Sequence, residues 1–135
     1  MVELKGIIIV SLGIPNLSNR IYTEKIVKKT ILENPIVKEQ LSNGGIFGTL
    51  SKYKYDDSGE LDTRFISHST TNIYIEDGKL KADITLLDTP CGKEAQESVL
   101  FPYLVGTGVT VPVESVFGPQ EVTSYDFLRI DLQTF

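Results

Sequence analysis

Residues 66–92 read Ile66-Ser67-His68-Ser69-Thr70-Thr71-Asn72-Ile73-Tyr74-Ile75-Glu76-Asp77-Gly78-Lys79-Leu80-Lys81-Ala82-Asp83-Ile84-Thr85-Leu86-Leu87-Asp88-Thr89-Pro90-Cys91-Gly92. Two alternating segments meet at Asp77-Gly78, a dipeptide that favours a two-residue hairpin turn because both positions tolerate positive φ. Before the turn, Ile73 and Ile75 alternate with Asn72, Tyr74 and Glu76. After it, Leu80, Ala82, Ile84 and Leu86 alternate with Lys79, Lys81, Asp83 and Thr85. A period of two puts one set on each face, so strands are expected over 64–76 and 79–87, one face buried and the other wet.

Downstream, Thr89-Pro90 supplies a helix N-cap with proline at the first helical position. That helix is expected to run to about Val105 and stop at Gly106, with Pro102 disturbing its last turn. Residues 109–117 and 122–132 read as two closing strands around Gly118-Pro119. Upstream, 2–11 reads as a first strand whose Ile7, Ile8, Ile9 and Val10 are expected to be buried. Ser11 and Gly13 break that apolar run, and no small-residue cleavage site follows, so a strand fits better than a signal peptide. Thr23 caps a helix over about 22–33 whose Ile26, Val27, Thr30 and Ile31 share a face, and Asn34-Pro35 is read as its stop. A turn at 42–45, a strand at 46–50 and a long polar loop at 51–62 complete the pass. The fold class is therefore α+β, a mostly antiparallel sheet or partly closed β-barrel with two helices, in a single domain over 1–135.

With 135 residues, 41% hydrophobic and 23% charged, the chain has the composition of a globular protein with a real core. No run approaches the roughly 18 apolar residues of a membrane helix. The net charge of −5 is uneven, near +1 over residues 1–67 and near −6 over residues 68–135. The basic cluster Lys25, Lys28 and Lys29 reads as a solvated helix face rather than a phosphate-binding surface, so neither nucleic acid nor membrane is an expected partner. One cysteine and one histidine leave no intramolecular disulfide and no ordinary zinc set; no metal or cofactor is expected.

The sequence has no phosphate-binding glycine loop, no nucleophile elbow and no His-Glu-x-x-His. His68 beside Ser67 and Ser69 invites a nucleophile–base reading, but strand alternation is expected to turn both serines away from its ring. A strand histidine bonded to a neighbour or to water is the simpler reading; a serine distant in sequence is the alternative. Cys91 lies at a helix start, where the dipole favours a thiolate, and is otherwise a small packing residue. Asp56-Asp57 reads as a solvated acidic pair.

Several segments, in this order and spacing, resemble the prohead proteases of tailed bacteriophages, serine peptidases of assemblin-like fold that mature the capsid. The family's Asn-x-Asn-Gly-Arg-Ile-Tyr-Pro stretch is similar to Asn16-Leu17-Ser18-Asn19-Arg20-Ile21-Tyr22-Thr23. Its Gly-Glu-Leu-x-His-Pro, which carries a catalytic His, corresponds to Gly48-Thr49-Leu50-Ser51-Lys52-Tyr53. Its Ser-His strand, hairpin and Leu-Asp-Thr-Pro-x-Gly segment are similar to the whole of Ser67 to Lys93, the most specific match. Its Gly-[Ile/Val]-Ser-Ser-Arg-Gly, with the nucleophile, corresponds to Gly108-Val109-Thr110-Val111-Pro112-Val113, and its final strand to Tyr125 through Leu132.

The resemblance implies an assemblin-like fold with a degenerate site. Lys52 stands at the base position and is cationic near neutral pH. Thr110-Val111 replaces the Ser-Ser pair, and Pro112, which has neither a donor side chain nor an N–H, replaces the Arg. No intact catalytic residue is expected; the vestigial positions are Lys52, Thr110 and Val111. The function this implies is a catalytically inactive structural protein of the virion, an auxiliary or decoration protein made in the host cytoplasm and bound to the major capsid protein or other virion proteins. The alternatives are an active maturation peptidase with a displaced site, using His68 with Thr110, Ser115 or Ser69, or an internal scaffold component.

Overall fold

The computed structural model describes residues 1–53 and 61–134. In chain order they form β1 (Val2–Ser11), β2 (Arg20–Ile21), α1 (Glu24–Val27), a π-helical turn at Lys28–Leu32, α2 (Pro35–Ser42), β3 (Ile46–Thr49), β4 (Ile66–Glu76), β5 (Lys79–Leu86), α3 (Pro90–Gln96), β6 (Leu100–Pro112) and β7 (Gln120–Thr134). Single 3-10 turns occupy Ser51–Tyr53 and Thr63–Phe65. Part of the polar loop expected at 51–62, with Asp56-Asp57, lies outside the described residues.

The central hairpin forms on its expected turn. Asp77 and Gly78 both take left-handed backbone, φ 55° and 72°, and β4 pairs antiparallel with β5 from Glu76↔Lys79 to His68↔Leu86. Leu80, Ala82, Ile84 and Leu86 are buried, as the period-two pattern requires. The first half of β4 departs from that pattern. Ser67, His68, Ser69 and Thr70 are buried in succession, because β5 and β3 flank the strand and α3 packs against it.

Two sheets result, one ordered β1-β5-β4-β3 and the other β2-β7-β6. All pairs are antiparallel except β2 with β7. Among the described residues no closed barrel forms; the sheets meet where Leu50 makes a parallel bridge to Leu132. Both contribute to one hydrophobic cluster that includes Val27, Ile31, Leu50, Leu80, Ile84, Ile130 and Leu132.

Three expectations are corrected. Asn34-Pro35 ends one helix and starts another: the Asn34 side chain accepts the Ile36 N–H at 3.0 Å and Pro35 takes the first helical position. Among the described residues there are thus three α-helices where two were expected. The helix after Thr89 is capped as expected, with its hydroxyl accepting the Gly92 N–H at 2.9 Å, but it ends at Gln96. The aromatic and β-branched run from Val99 to Val105 continues as β6, where Pro102 is tolerated at a sheet edge. Finally, β1 does not bury four consecutive apolar residues. Register shifts between Leu4 and Ile7 and between Ile8 and Val10 reset its alternation, and Ile8 is 49% exposed.

Candidate functional site

The most concentrated polar chemistry in the described residues lies inside the protein, where β4, β3 and β7 meet. The Ser67 Oγ and His68 Nδ1 are 2.7 Å apart, and the His68 Nε2 is 2.7 Å from the Ile130 carbonyl oxygen. A carbonyl only accepts, so Nε2 carries the proton and Nδ1 accepts from the Ser67 hydroxyl. This corrects the expectation that strand alternation separates the two side chains. Gly48 pairs with His68 but Thr49 pairs with Ile66, so Ser67 is an extra residue in the ladder. A bulge of this kind re-aims side chains locally.

Gly48 makes the crossing to β7 possible. A Cβ there would lie 2.3 Å from the His68 Nε2 and 2.4 Å from the Ile130 oxygen. Beside this bridge, the buried Asp131 carboxylate accepts from the Thr49 N–H at 3.0 Å and from the Arg129 Nε at 2.9 Å. Arg129 and Asp131 are two residues apart on β7, which places them on one face. The sequence reading passed over this pair, although opposite charges at i and i+2 among Phe127, Leu128, Ile130 and Leu132 were its visible signal.

Burial is the largest influence on His68 and lowers its pKa; the Ile130 hydrogen bond and the Asp131 charge oppose this, and Arg129 adds to it. The imidazole is neutral, and a hydroxyl donating to it has the local geometry of an activated nucleophile. Both Ser67 and His68, however, are wholly shielded from solvent, so no peptide reaches that hydroxyl in this conformation. The unit acts as a cross-brace between the two sheets.

Its protonation makes a prediction. Below pH 6.5 the unfolded chain binds a proton that folded His68 resists, so stability falls as pH drops through that value, by up to about 1.4 kcal/mol per pH unit. Urea unfolding between about pH 7.5 and about pH 5.5 is expected to show this loss, and His68→Gln to flatten it. An unchanged slope in the variant contradicts the assignment.

The positions picked out by the resemblance lie elsewhere and apart. Lys52 is at the surface beside α3, its ammonium paired with the Glu94 carboxylate, which also accepts from the Tyr53 hydroxyl at 2.7 Å. The hydrogen bond to Glu94 raises the Lys52 pKa, so the side chain stays a cation. Thr110 pairs with Val122 and Val111 with Glu121 near the far end of the β6–β7 hairpin. Leu132, the bridge partner of Leu50 beside Lys52, is ten positions along β7 from Val122, about 30 Å of strand. Lys52 and Thr110 therefore do not form one site. His68 is held to Ile130, eight positions from Val122, and does not meet Thr110 either. Ser115 lies in the exposed β6–β7 connection, where the Gly118 N–H donates to its carbonyl at 3.0 Å. Ser69 points away and donates to the Gly44 carbonyl at 3.0 Å.

Cys91 is buried and its thiol pKa is raised, first by burial, the opposite of a thiolate nucleophile's environment. Among the described residues, no three His, Cys, Asp or Glu side chains converge on a metal position, and no helix is long and apolar enough to cross a membrane. An open cleft of about 570 Å³ runs between β1 and the start of β6, lined by Ile8, Leu17, Ser51, Phe101, Tyr103 and Gln133 among others. Its titratable group is Tyr103, whose phenol is pushed up to about 12, first by burial and then by Asp131.

The fold among the described residues is α+β, two mainly antiparallel sheets with three short helices. In three dimensions the chain matches the bacteriophage T4 capsid assembly protease, gp21, with a TM-score of 0.76 over 98% of this chain and 91% of that one, at 13% sequence identity. No protein-family model matches the sequence, and no curated protein matches it.

Proposed function

We propose that this chain is a catalytically inactive, prohead-protease-like structural protein of a phage virion, an auxiliary or decoration protein that works by binding capsid subunits. The observation that carries this reading is the fate of the vestigial positions: Lys52 is held as a cation by Glu94 and lies far along the sheet from Thr110. A general base must be unprotonated and within hydrogen-bond reach of its nucleophile, and this pair meets neither condition. A fold close to that of a capsid assembly protease supplies a scaffold already suited to contacts inside an assembling head; this step is analogy from fold. No cofactor enters the account.

One observation favours a second reading, an active peptidase with a displaced site: the Ser67–His68 hydrogen bond. It would require the sheets to part and expose Ser67. Lys52→Ala, Thr110→Ala and Ser67→Ala phages separate the two. The proposal predicts that capsid-protein cleavage during head maturation is unchanged in the first two, and unchanged in any Ser67→Ala head that still assembles. Loss of cleavage in the Thr110→Ala phage, or in an assembled Ser67→Ala head, would return the protein to the peptidases.

A further inference from the structure

The outer edge of β6 is open. β6 is the terminal strand of its sheet, with β7 on one side and, among the described residues, no strand paired on the other. β1 approaches only its first part, where Ile8 and Ile9 share the cleft with Phe101, Pro102 and Tyr103. Beyond Val105 the strand is exposed from Gly106 to Val109 and again from Val111. Its apolar side chains there stand in solvent, Val109 at 61% and Val111 at 42%, and Phe117 at the tip is 94% exposed.

Sheet edges in soluble proteins are ordinarily blunted by charge, bulge or cover, because their free N–H and C=O groups pair with any passing strand. This edge lacks the first defence: Val99 to Val113 contains no charged residue. Prolines at 102 and 112 frame an unbroken run, Tyr103 to Val111, in which every residue has a backbone donor. Arg129, opposite Val105, is buried and paired with Asp131; beyond it, the exposed charge along the edge is of one sign. Between Lys93 and Arg129 the sequence has no Lys or Arg. Glu121 sits opposite Val111 and Asp126 opposite Thr107, and Glu114 follows the strand. Arg20 on β2 lies on the other side of β7.

We propose that the β6 edge from Gly106 to Val111 is a docking site for one extended strand of a partner protein, apolar and β-branched along its length and flanked by Lys or Arg. Main-chain hydrogen bonds supply affinity, and Val109 and Val111 accept the partner's alternate side chains. The acidic rim selects the basic flanks and speeds encounter. A second copy of this chain is disfavoured as occupant, because it would bring the same acidic rim to the interface. The inference deepens the capsid-binding reading by naming the surface and the chemistry of the partner strand, and it rests on that reading.

The test uses the purified full chain and two synthetic nonapeptides, Lys-Thr-Val-Thr-Val-Thr-Val-Thr-Lys and its twin with Glu at both ends. Backbone amide shifts in a ¹⁵N spectrum are expected to change over residues 106–111 with the Lys-flanked peptide. The Glu-flanked twin is expected to bind at least about tenfold more weakly at low salt, with the gap closing as salt is added. Val109→Lys, at an exposed position that leaves the core intact, is expected to weaken Lys-flanked binding by about tenfold or more. Equal binding of the two peptides overturns the charge argument. Shifts confined to the cleft between β1 and β6 overturn the edge. Pairing of the free protein with itself through residues 106–111 makes a second copy the occupant and overturns the proposal. Peptide binding is read on the isolated protein, so its failure is distinct from absence of the chain from virions, which strikes the functional reading instead.

Discussion

Asp131→Ala is expected to lower the free energy of unfolding by about 3–5 kcal/mol, the range for removing one member of a buried ion pair. Asp131 is wholly buried and Arg129 nearly so. The carboxylate holds the Arg129 Nε at 2.9 Å and the Thr49 N–H at 3.0 Å, so the variant leaves a backbone donor and a guanidinium facing a void. The loss reaches both sheets, because Thr49 belongs to β3 and Asp131 to β7. Asp131→Asn retains an acceptor oxygen without the charge and should fall between the two. Urea unfolding of the three proteins is the measurement; a loss in Asp131→Ala below about 1 kcal/mol, the worth of an ordinary exposed pair, would contradict the role assigned to it.

The second large effect is expected at Gly48. Gly48→Ala should destabilise the fold by about 3 kcal/mol or more, comparable to severe overpacking. The added methyl would overlap the His68 ring at 2.3 Å and the Ile130 carbonyl at 2.4 Å. Neither neighbour moves cheaply. The ring is held at both nitrogens by Ser67 and Ile130, and the carbonyl is backbone of the central strand of its sheet. In the double variant Gly48→Ala with His68→Ala the ring clash disappears while the carbonyl clash remains, so its stability loss should be smaller than the sum of the two single losses. Strict additivity would mean that ring and methyl do not compete for that space.

These two sites explain why the fold was legible in the sequence while its polar centre was not. The hairpin at Asp77-Gly78 combined a turn dipeptide with clean alternation, both local signals, and it formed where expected. The caps at Thr23 and Thr89 were equally local. Asn34-Pro35 misled because the same two residues that stop one helix also cap and begin another. The run from Val99 to Val105 misled because its apolar residues fit either a buried helix end or a strand, and only pairing with β7 distinguishes them. The contact of Ser67 with His68 depends on a bulge opposite β3, and the reach of His68 to Ile130 spans 62 positions. Neither has a signature in a short window of sequence.

The overall likeness to capsid assembly proteases was visible as a series of weak segments in order, and it is seen again in three dimensions at 13% identity. The chemistry of the positions proposed as vestigial separates from that likeness. Lys52 is bound to Glu94 beside α3, and Thr110 lies on the far part of the hairpin that carries the open β6 edge. On this account the scaffold has kept its shape while its polar interior serves cohesion, and its exposed strand offers the contact surface.

The measurement that tests the central claim most directly is a quantitative mass-spectrometric count of this chain in purified mature virions, relative to the major capsid protein. The account predicts intact chains at a fixed, stoichiometric ratio, as a bound structural component requires. Absence of the chain, or its presence only as fragments, would contradict it and assign the protein to the assembly pathway instead of the finished particle.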